Sequence, residues 1–498
     1  MMPLATAAPV MGENGAPYIV RRHRRSTSPE GVSSLAEHFD LVILGGGPGG
    51  YAAALYGASA GLHVALVEED RVGGTCLHRG CIPAKELLQT AEVLRTVGRA
   101  GEFGVQVGEP SLDLATAQTR KQQVVDRLAR GVESLLKGRK VTVVPGTGTL
   151  EAGPNHLLRV SDGTELRGDH VLLATGSAPR SLPLPGLEFD GETVLSSDHV
   201  LQTAATPAAV AVIGGGAIGC EFASFYVDIG ADVTVLEALP TLLPGTDPQV
   251  SQVVARAFQK RGITVHTGVQ VQSCERGEPG ARLRFVAEDA EHELAVERVV
   301  VSVGRRPRSE GVGLDAAGVE VDERGYVVVD GQMHTTVPRI YAVGDLVATP
   351  QLAHVAFAEA IVAVKALLGE EPEPIDYDKV PWGIYCHPEV GFCGLTEQAA
   401  RDRGHDVVTS VHRFSGNGRA LVIGESDGLV KIVAERDGPL LGVHVVGPWA
   451  TELVAEGYLS VNWEATAEDL GRLIHAHPTL SELFGESALA LTGRSLHG

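Results

Sequence analysis

From residue 41 to residue 67 the chain carries no Asp, Glu, Lys or Arg. By length alone such a run would suffice for a membrane span, which needs about 20 apolar residues. Seven glycines and a proline lie inside it, however, and would break a lipid-facing helix repeatedly. The pattern predicts instead a buried strand, a glycine turn and a buried helix. It then recurs. F-D-L-V-I-L, G-G-G-P-G-G, a small-residue helix and H-V-A-L-V-E ending at Glu68 form one unit. A-V-A-V-I, G-G-G-A-I-G, a helix and D-V-T-V-L-E ending at Glu237 form a second. Apolar strand patterns return after both units, as in L-L-G-V-H-V-V-G, whereas the first 37 residues show no apolar periodicity.

A lone G-x-G-x-x-G is an ordinary glycine-rich turn. Here Gly45, Gly47 and Gly50 match Gly214, Gly216 and Gly219, and each first glycine precedes its glutamate by 23 residues. A strand before, a helix after and an acidic residue closing the next strand complete the dinucleotide-binding signature. The first glycine permits the tight turn, the second admits the pyrophosphate, and the third lets helix and strand pack, with the helix N-terminus facing the phosphates. Two such units imply two dinucleotides. A carboxylate at the second strand end favours a free ribose hydroxyl over a 2′-phosphate, and A-L-P-T-L-L-P after Glu237 offers no base to hold that phosphate, so NAD is expected over NADP.

At 498 residues the chain predicts about three domains. A net charge of −21 argues against nucleic acid or an anionic membrane as partner. Six cysteines do not make a secreted disulfide framework, so a reducing compartment, the cytoplasm, is expected. The tail at 1–37 reads as disordered; its four arginines and few acids make a mitochondrial presequence, and hence the matrix, the alternative. Two cysteines stand close together in G-G-T-C-L-H-R-G-C-I-P-A-K, at Cys76 and Cys81. No nearby Cys/His cluster completes a zinc site, so no metal is expected. Nicotinamide moves a hydride while thiols exchange two electrons through a disulfide, and a flavin joins the two chemistries. FAD on one unit, NAD on the other and a dithiol between them form a coherent electron path. Cys220, Cys274, Cys386 and Cys393 have no partner pattern and read as buried apolar residues.

These motifs, with A-T-G-S at 174–177, G-R-R-P at 304–307, I-Y-A-V-G-D at 340–345 and H-A-H-P-T-L-S-E at 475–482, occur in one order. In that order the sequence resembles the class I pyridine nucleotide-disulfide oxidoreductases, and within them the dihydrolipoyl dehydrogenases, from about residue 38 onward. The resemblance implies an α/β fold of two Rossmann-like dinucleotide-binding domains, for FAD and NAD, plus a C-terminal α+β dimerisation domain. The boundaries expected are 38–187 and 311–380 for the FAD and central parts, 188–310 for NAD and 381–498 for dimerisation. It further implies that Cys81 faces the flavin, that Cys76 exchanges with substrate, and that Lys85 sits near flavin N5, paired with Glu221. Thr175, Gly176, Ser177, Asp345 and Ala353 fall on the FAD side, Gly148 in the G-T-G turn contacts the adenine side, and Gly304 falls on the NAD side. His78 and Ala84 depart from the family's usual Asn and Ser without removing a reacting atom.

His477 is followed by Pro478 and then, five residues on, by Glu482, so a turn would bring the carboxylate against the ring and raise its basicity. His475 lacks that spacing and reads as structural. The resemblance places the His477–Glu482 pair in the partner subunit's active site of a homodimer, and implies oxidation of dihydrolipoamide on lipoyl domains of 2-oxo acid dehydrogenase complexes. Glutathione-type reductases use NADPH and are the nearest alternative. Mercuric and large thioredoxin reductases need a further pair near the C-terminus, and the last cysteine here is Cys393. A non-catalytic flavoprotein subunit would tolerate decay of the thiols or the His–Glu pair, and all four residues are present.

Overall fold

The computed structural model describes residues 37–153 and 157–497. The expected tail lies outside the described residues except for Glu37, which already belongs to the first strand. Leu41, Val42 and Ile43 are fully buried, because this strand is covered on both faces and needs apolar side chains on both. It pairs in parallel with Val64–Glu68 and Glu165–Leu173. The whole sheet runs Thr142–Pro145, Val64–Glu68, Glu37–Leu44, Glu165–Leu173, Leu157–Val160, Gly148–Leu150, with Ile340–Ala342 also on Glu165–Leu173. That last strand returns from far along the chain and carries Asp345 to the sheet's edge of the cleft.

The second unit repeats this design. Its sheet runs Thr264–Thr267, Asp232–Glu237, Ala209–Ile213, Arg298–Val301, Val194–Leu195, all parallel, beside an antiparallel layer of Gln270–Gly277, Gly280–Ala287 and Ala290–Val296. Ser177–Pro179 and Arg305–Pro307 pair antiparallel where the chain passes between the two units. The C-terminal sheet is antiparallel throughout, in the order Trp382–Ile384, Glu389–Gly394, Leu440–Gly447, Leu429–Glu435, Val407–Arg413. Its core joins Val430, Ile432, Val443 and Val445 to Phe484 of the last helix, Glu482–Leu491. The Lys431 ammonium, buried in that sheet, donates to Asp247 at 2.8 Å and Glu397 at 2.9 Å, fastening it to the helix Pro248–Lys260. Among the described residues no helix is long and apolar enough to cross a membrane.

Candidate active site

The glycine turns separate into those the fold needs and those it leaves open. A Cβ on Gly50 would lie 1.8 Å from the Gly45 carbonyl oxygen, and one on Gly219 would lie 1.9 Å from that of Gly214. Helix and turn therefore touch through backbone at both third glycines. The middle glycines differ: a Cβ on Gly216 would meet nothing within 4 Å, and one on Gly47 only Gly74 Cα at 3.9 Å. Each is the N-cap of its helix, Pro48–Ser59 or Ala217–Asp228, and neither helix start has a side-chain cap. Two sets of unsatisfied N–H groups thus open into free space in a cleft of about 1430 Å³. A pair of dinucleotide pyrophosphates fits both cradles. The strand-end glutamates repeat as well: Gly46 N donates to Glu68 at 2.6 Å, and Gly215 N to Glu237 at 2.5 Å.

Gly45, Gly47, Glu68, Cys76, Cys81, Lys85, Gly148, Thr175, Gly176, Ser177, Asp345, Ala353, Gly214, Gly216, Glu221, Glu237 and Gly304 all line this cleft. Gly50 and Gly219 do not, consistent with their packing role. Gly148 does not lie in the expected G-T-G turn: it opens the strand Gly148–Leu150, opposite Val160, where a Cβ would strike Leu44 and Leu158.

Cys76 lies on a short helix, Gly74–Arg79, whose Gly74 packs directly on Gly47; a Cβ there would lie 2.5 Å from Gly47 Cα. This contact sets the thiols beside the first nucleotide turn. His78, on the same helix, uses Nε2 to donate to the Val72 carbonyl at 2.9 Å. Gly80 breaks the chain direction, and Cys81 begins the helix Cys81–Gly98. The helix N-terminus favours a thiolate at that position. A hydrogen bond from Cys76, together with the Lys85 charge, pulls the Cys81 thiol down to about 7 against burial and the Glu221 carboxylate. The same hydrogen bond and burial push Cys76 upward, so the two thiols are unequal.

Lys85 sits one turn after Cys81 on the same helical face. Its ammonium donates to both oxygens of Glu221, on Ala217–Asp228, at 2.9 and 2.8 Å. Burial disfavours its charge, but Glu221, then Cys81 and Tyr385, hold its pKa above the ordinary lysine range. Tyr385, from the C-terminal region, belongs to none of the sequence motifs; its amide donates to Glu221 at 2.9 Å. Tyr51, directly after the first glycine turn, also faces the thiols, and burial followed by the two sulfurs raises it to about 12. On the other wall the Ser177 hydroxyl donates to Asp345 at 2.5 Å and accepts from Arg305 Nε at 2.7 Å. Glu359, wholly buried, accepts from Gly344 N at 2.6 Å and so fixes the Asp345 turn.

His477 Nδ1 lies 2.8 Å from Glu482 Oε1, and Thr479 N donates to the other oxygen at 2.8 Å. Burial opposes the Glu482 charge, but these two contacts keep its pKa below the usual carboxylate value. The pair does not line the cleft of its own chain, and the His477 side chain is 79% exposed. His475 also has a glutamate, Glu456, at 2.6 Å, supplied by the helix Ala450–Asn462 rather than by its own loop. Cys220, Cys274, Cys386 and Cys393 are buried.

Residues 39–360 match the family model for pyridine nucleotide-disulphide oxidoreductases, and residues 380–488 match that for the family's dimerisation domain. The dihydrolipoyl dehydrogenase of Bacillus subtilis is 43% identical, over 93% of this chain and 100% of its own. That of Thermus scotoductus is 41% identical, over 92% and 98%. Among solved structures, LpdA from Mycobacterium tuberculosis gives a TM-score of 0.84 at 28% identity, covering 92% of this chain and 100% of that one. The HOCl-induced flavoprotein disulfide reductase RclA from Escherichia coli gives 0.80 at 28%, covering 90% and 99%. Two nucleotide cradles opening onto one cysteine pair, and matches that run through both parts of the chain, make this protein a member of the pyridine nucleotide-disulphide oxidoreductase family.

Proposed function

We propose that the chain oxidises dihydrolipoyl groups, carried on the lipoyl domains of 2-oxo acid dehydrogenase complexes, and reduces NAD⁺ by way of FAD, as a cytoplasmic homodimer. The observation that carries this reading is the unequal thiol pair, with Cys81 lowered beside Lys85, in a cleft shared by two dinucleotide cradles. Gly45, Gly47, Glu68, Ser177 and Asp345 would hold FAD, and Gly214, Gly216 and Glu237 would hold NAD. We assign FAD to 38–187 and 311–380, NAD to 188–310 and dimerisation to 381–498, in keeping with the separate sheets. FAD, when bound, supplies the link between a two-electron thiol couple and a hydride acceptor.

The chain's own groups account for the thiol chemistry. His477 of the partner subunit, its Nδ1–H held by a glutamate, leaves Nε2 free to take a proton from the first substrate thiol. The resulting thiolate attacks Cys76 Sγ of the oxidised pair; the Cys76–Cys81 bond breaks and Cys81 leaves as a thiolate. Lys85 favours that charge, and a hydrogen bond from Cys76 adds to it once the pair is fully reduced. The second substrate thiol then attacks the substrate sulfur of the mixed disulfide, closing the lipoyl ring, and its proton goes to Cys76. The pair is left reduced by two electrons.

An anaerobic titration of the purified protein, with dihydrolipoamide and then NAD⁺, tests the scheme in the visible spectrum. Long-wavelength absorbance should grow with the first addition and vanish with the second. A folded protein that takes up no FAD, or a flavin that does not respond to dihydrolipoamide, overturns it.

A further inference from the structure

Lys85 is gripped from a third side. Its ammonium lies 4.8 Å from the centroid of the Tyr385 ring, within the roughly 6 Å reach of a cation over an aromatic face. The Tyr385 amide meanwhile donates to the same Glu221 oxygen that Lys85 engages. One residue thus touches both members of the pair, by ring and by backbone. The segment that delivers it is itself pinned: His387 N donates to Ser224 Oγ at 3.0 Å, and Arg261 donates to the His387 carbonyl at 2.8 Å and to Asp228 at 2.6 Å. Asp228 also pairs with Arg95, on the helix that begins at Cys81. The thiol helix, the nucleotide helix and the strap from the C-terminal region are therefore tied together at both ends of the contact.

We propose that Tyr385 is a positioning residue of the thiol site, its ring face and backbone amide holding the Lys85–Glu221 pair in register with Cys81. This deepens the proposed function and rests on the role given there to Lys85. A lysine without the ring samples rotamers that carry its charge away from Cys81, and the thiolate loses part of its stabilisation. The groups facing Cys81 are Cys76, Lys85, Glu221 and Tyr51, so a change of the Tyr385 side chain reaches the thiol only through the lysine its ring holds.

The test uses the FAD-loaded protein in a Cys76→Ser background, where Cys81 is the reacting thiol. Its titration is followed in two ways, by long-wavelength thiolate-to-flavin absorbance and by the rate of alkylation of Cys81, located by mass spectrometry. Tyr385→Leu should raise the midpoint by about 0.5 unit, the size expected from losing an exposed cation–ring contact. Tyr385→Phe, which keeps the ring, should leave it within about 0.2 unit, and Tyr385→Trp should leave it at or below the parent value. Lys85→Met should raise it further than any of these. A Tyr385→Leu midpoint that does not move, or a Tyr385→Phe midpoint that moves equally, overturns the proposal while a shift in Lys85→Met leaves the function reading standing. An unmoved midpoint in Lys85→Met overturns both. Should Tyr385→Leu not fold, the Phe and Trp variants decide, since an upward shift in either contradicts a role for the ring.

Discussion

Lys85 donates to both oxygens of Glu221 across 136 positions of sequence, joining the helix that carries Cys81 to the helix that opens the second nucleotide cradle. The contact ties the thiol helix to the helix of the second glycine turn through one ion pair. Glu221 is nearly buried whereas about a third of the Lys85 side chain is exposed, so loss of the carboxylate leaves a cation with partial access to water. Glu221→Gln should therefore cost about 2 kcal/mol rather than the full amount for breaking a dry pair. Urea unfolding of the FAD-loaded protein measures this, and an unchanged midpoint and slope would show that the pair adds nothing to stability.

Cys81 has its pKa lowered to about 7, so its thiolate is present above that pH and is lost as the pH falls through it. Cys76, moved the opposite way, stays protonated across the neutral range. In the two-electron-reduced protein the long-wavelength band should fade with a midpoint near the lowered Cys81 value. Cys76→Ser should keep such a band and lose lipoamide turnover, and Cys81→Ser should lose both. A band that survives in Cys81→Ser reverses the assignment.

Gly216 and Gly219 are both motif glycines, yet their substitution should fail in different ways. Gly216→Ala adds a methyl into open space at φ −73°, so thermal stability should hold while NADH affinity falls about tenfold, roughly 1.4 kcal/mol. Gly219→Ala drives a methyl into the Gly214 carbonyl and should destabilise the protein by about 3 kcal/mol, read from its unfolding midpoint. Equal effects of the two on stability would contradict the separation of cradle from packing glycines.

Glu237 is buried and accepts from Gly215 N and Leu239 N, with uncharged Ala238 and Leu239 following it. Glu237→Ala combined with an Arg introduced nearby should move preference toward NADP, measured as the ratio of kcat/KM values. The unmodified protein should favour NAD; equal use of both nucleotides refutes the role given to the carboxylate.

The His477 ring is exposed and held by Glu482 outside its own chain's cleft, and on the proposed function it would complete the site of a second copy. His477→Ala should lose about 10²–10⁴ in turnover. Mixed dimers of Cys76→Ser and His477→Ala chains carry one intact site, so the heterodimer should regain up to half the two-site activity. No recovery after confirmed subunit exchange would mean that each chain builds its own site.

The sequence by itself determined what short-range spacing can encode. Both glycine turns, the partner glutamates 23 residues on, Cys76 with Cys81, and His477 with Glu482 five residues later are each fixed by one turn or one βαβ unit. Chain connectivity leaves such groups few places to go. The tertiary structure alone decided what meets across long separations. Glu456 reaches His475 from 19 residues away in another helix, where the local spacing gave that histidine no acid. Tyr385 reaches Glu221 across 164 residues, and no periodicity links the two positions. Gly148 shows the same division on a small scale: G-T-G reads as a turn, but packing against Leu44 and Leu158 makes its last glycine the start of a strand. Local pattern places a residue on an element, whereas close packing and the pairing of buried charge choose which distant element it touches.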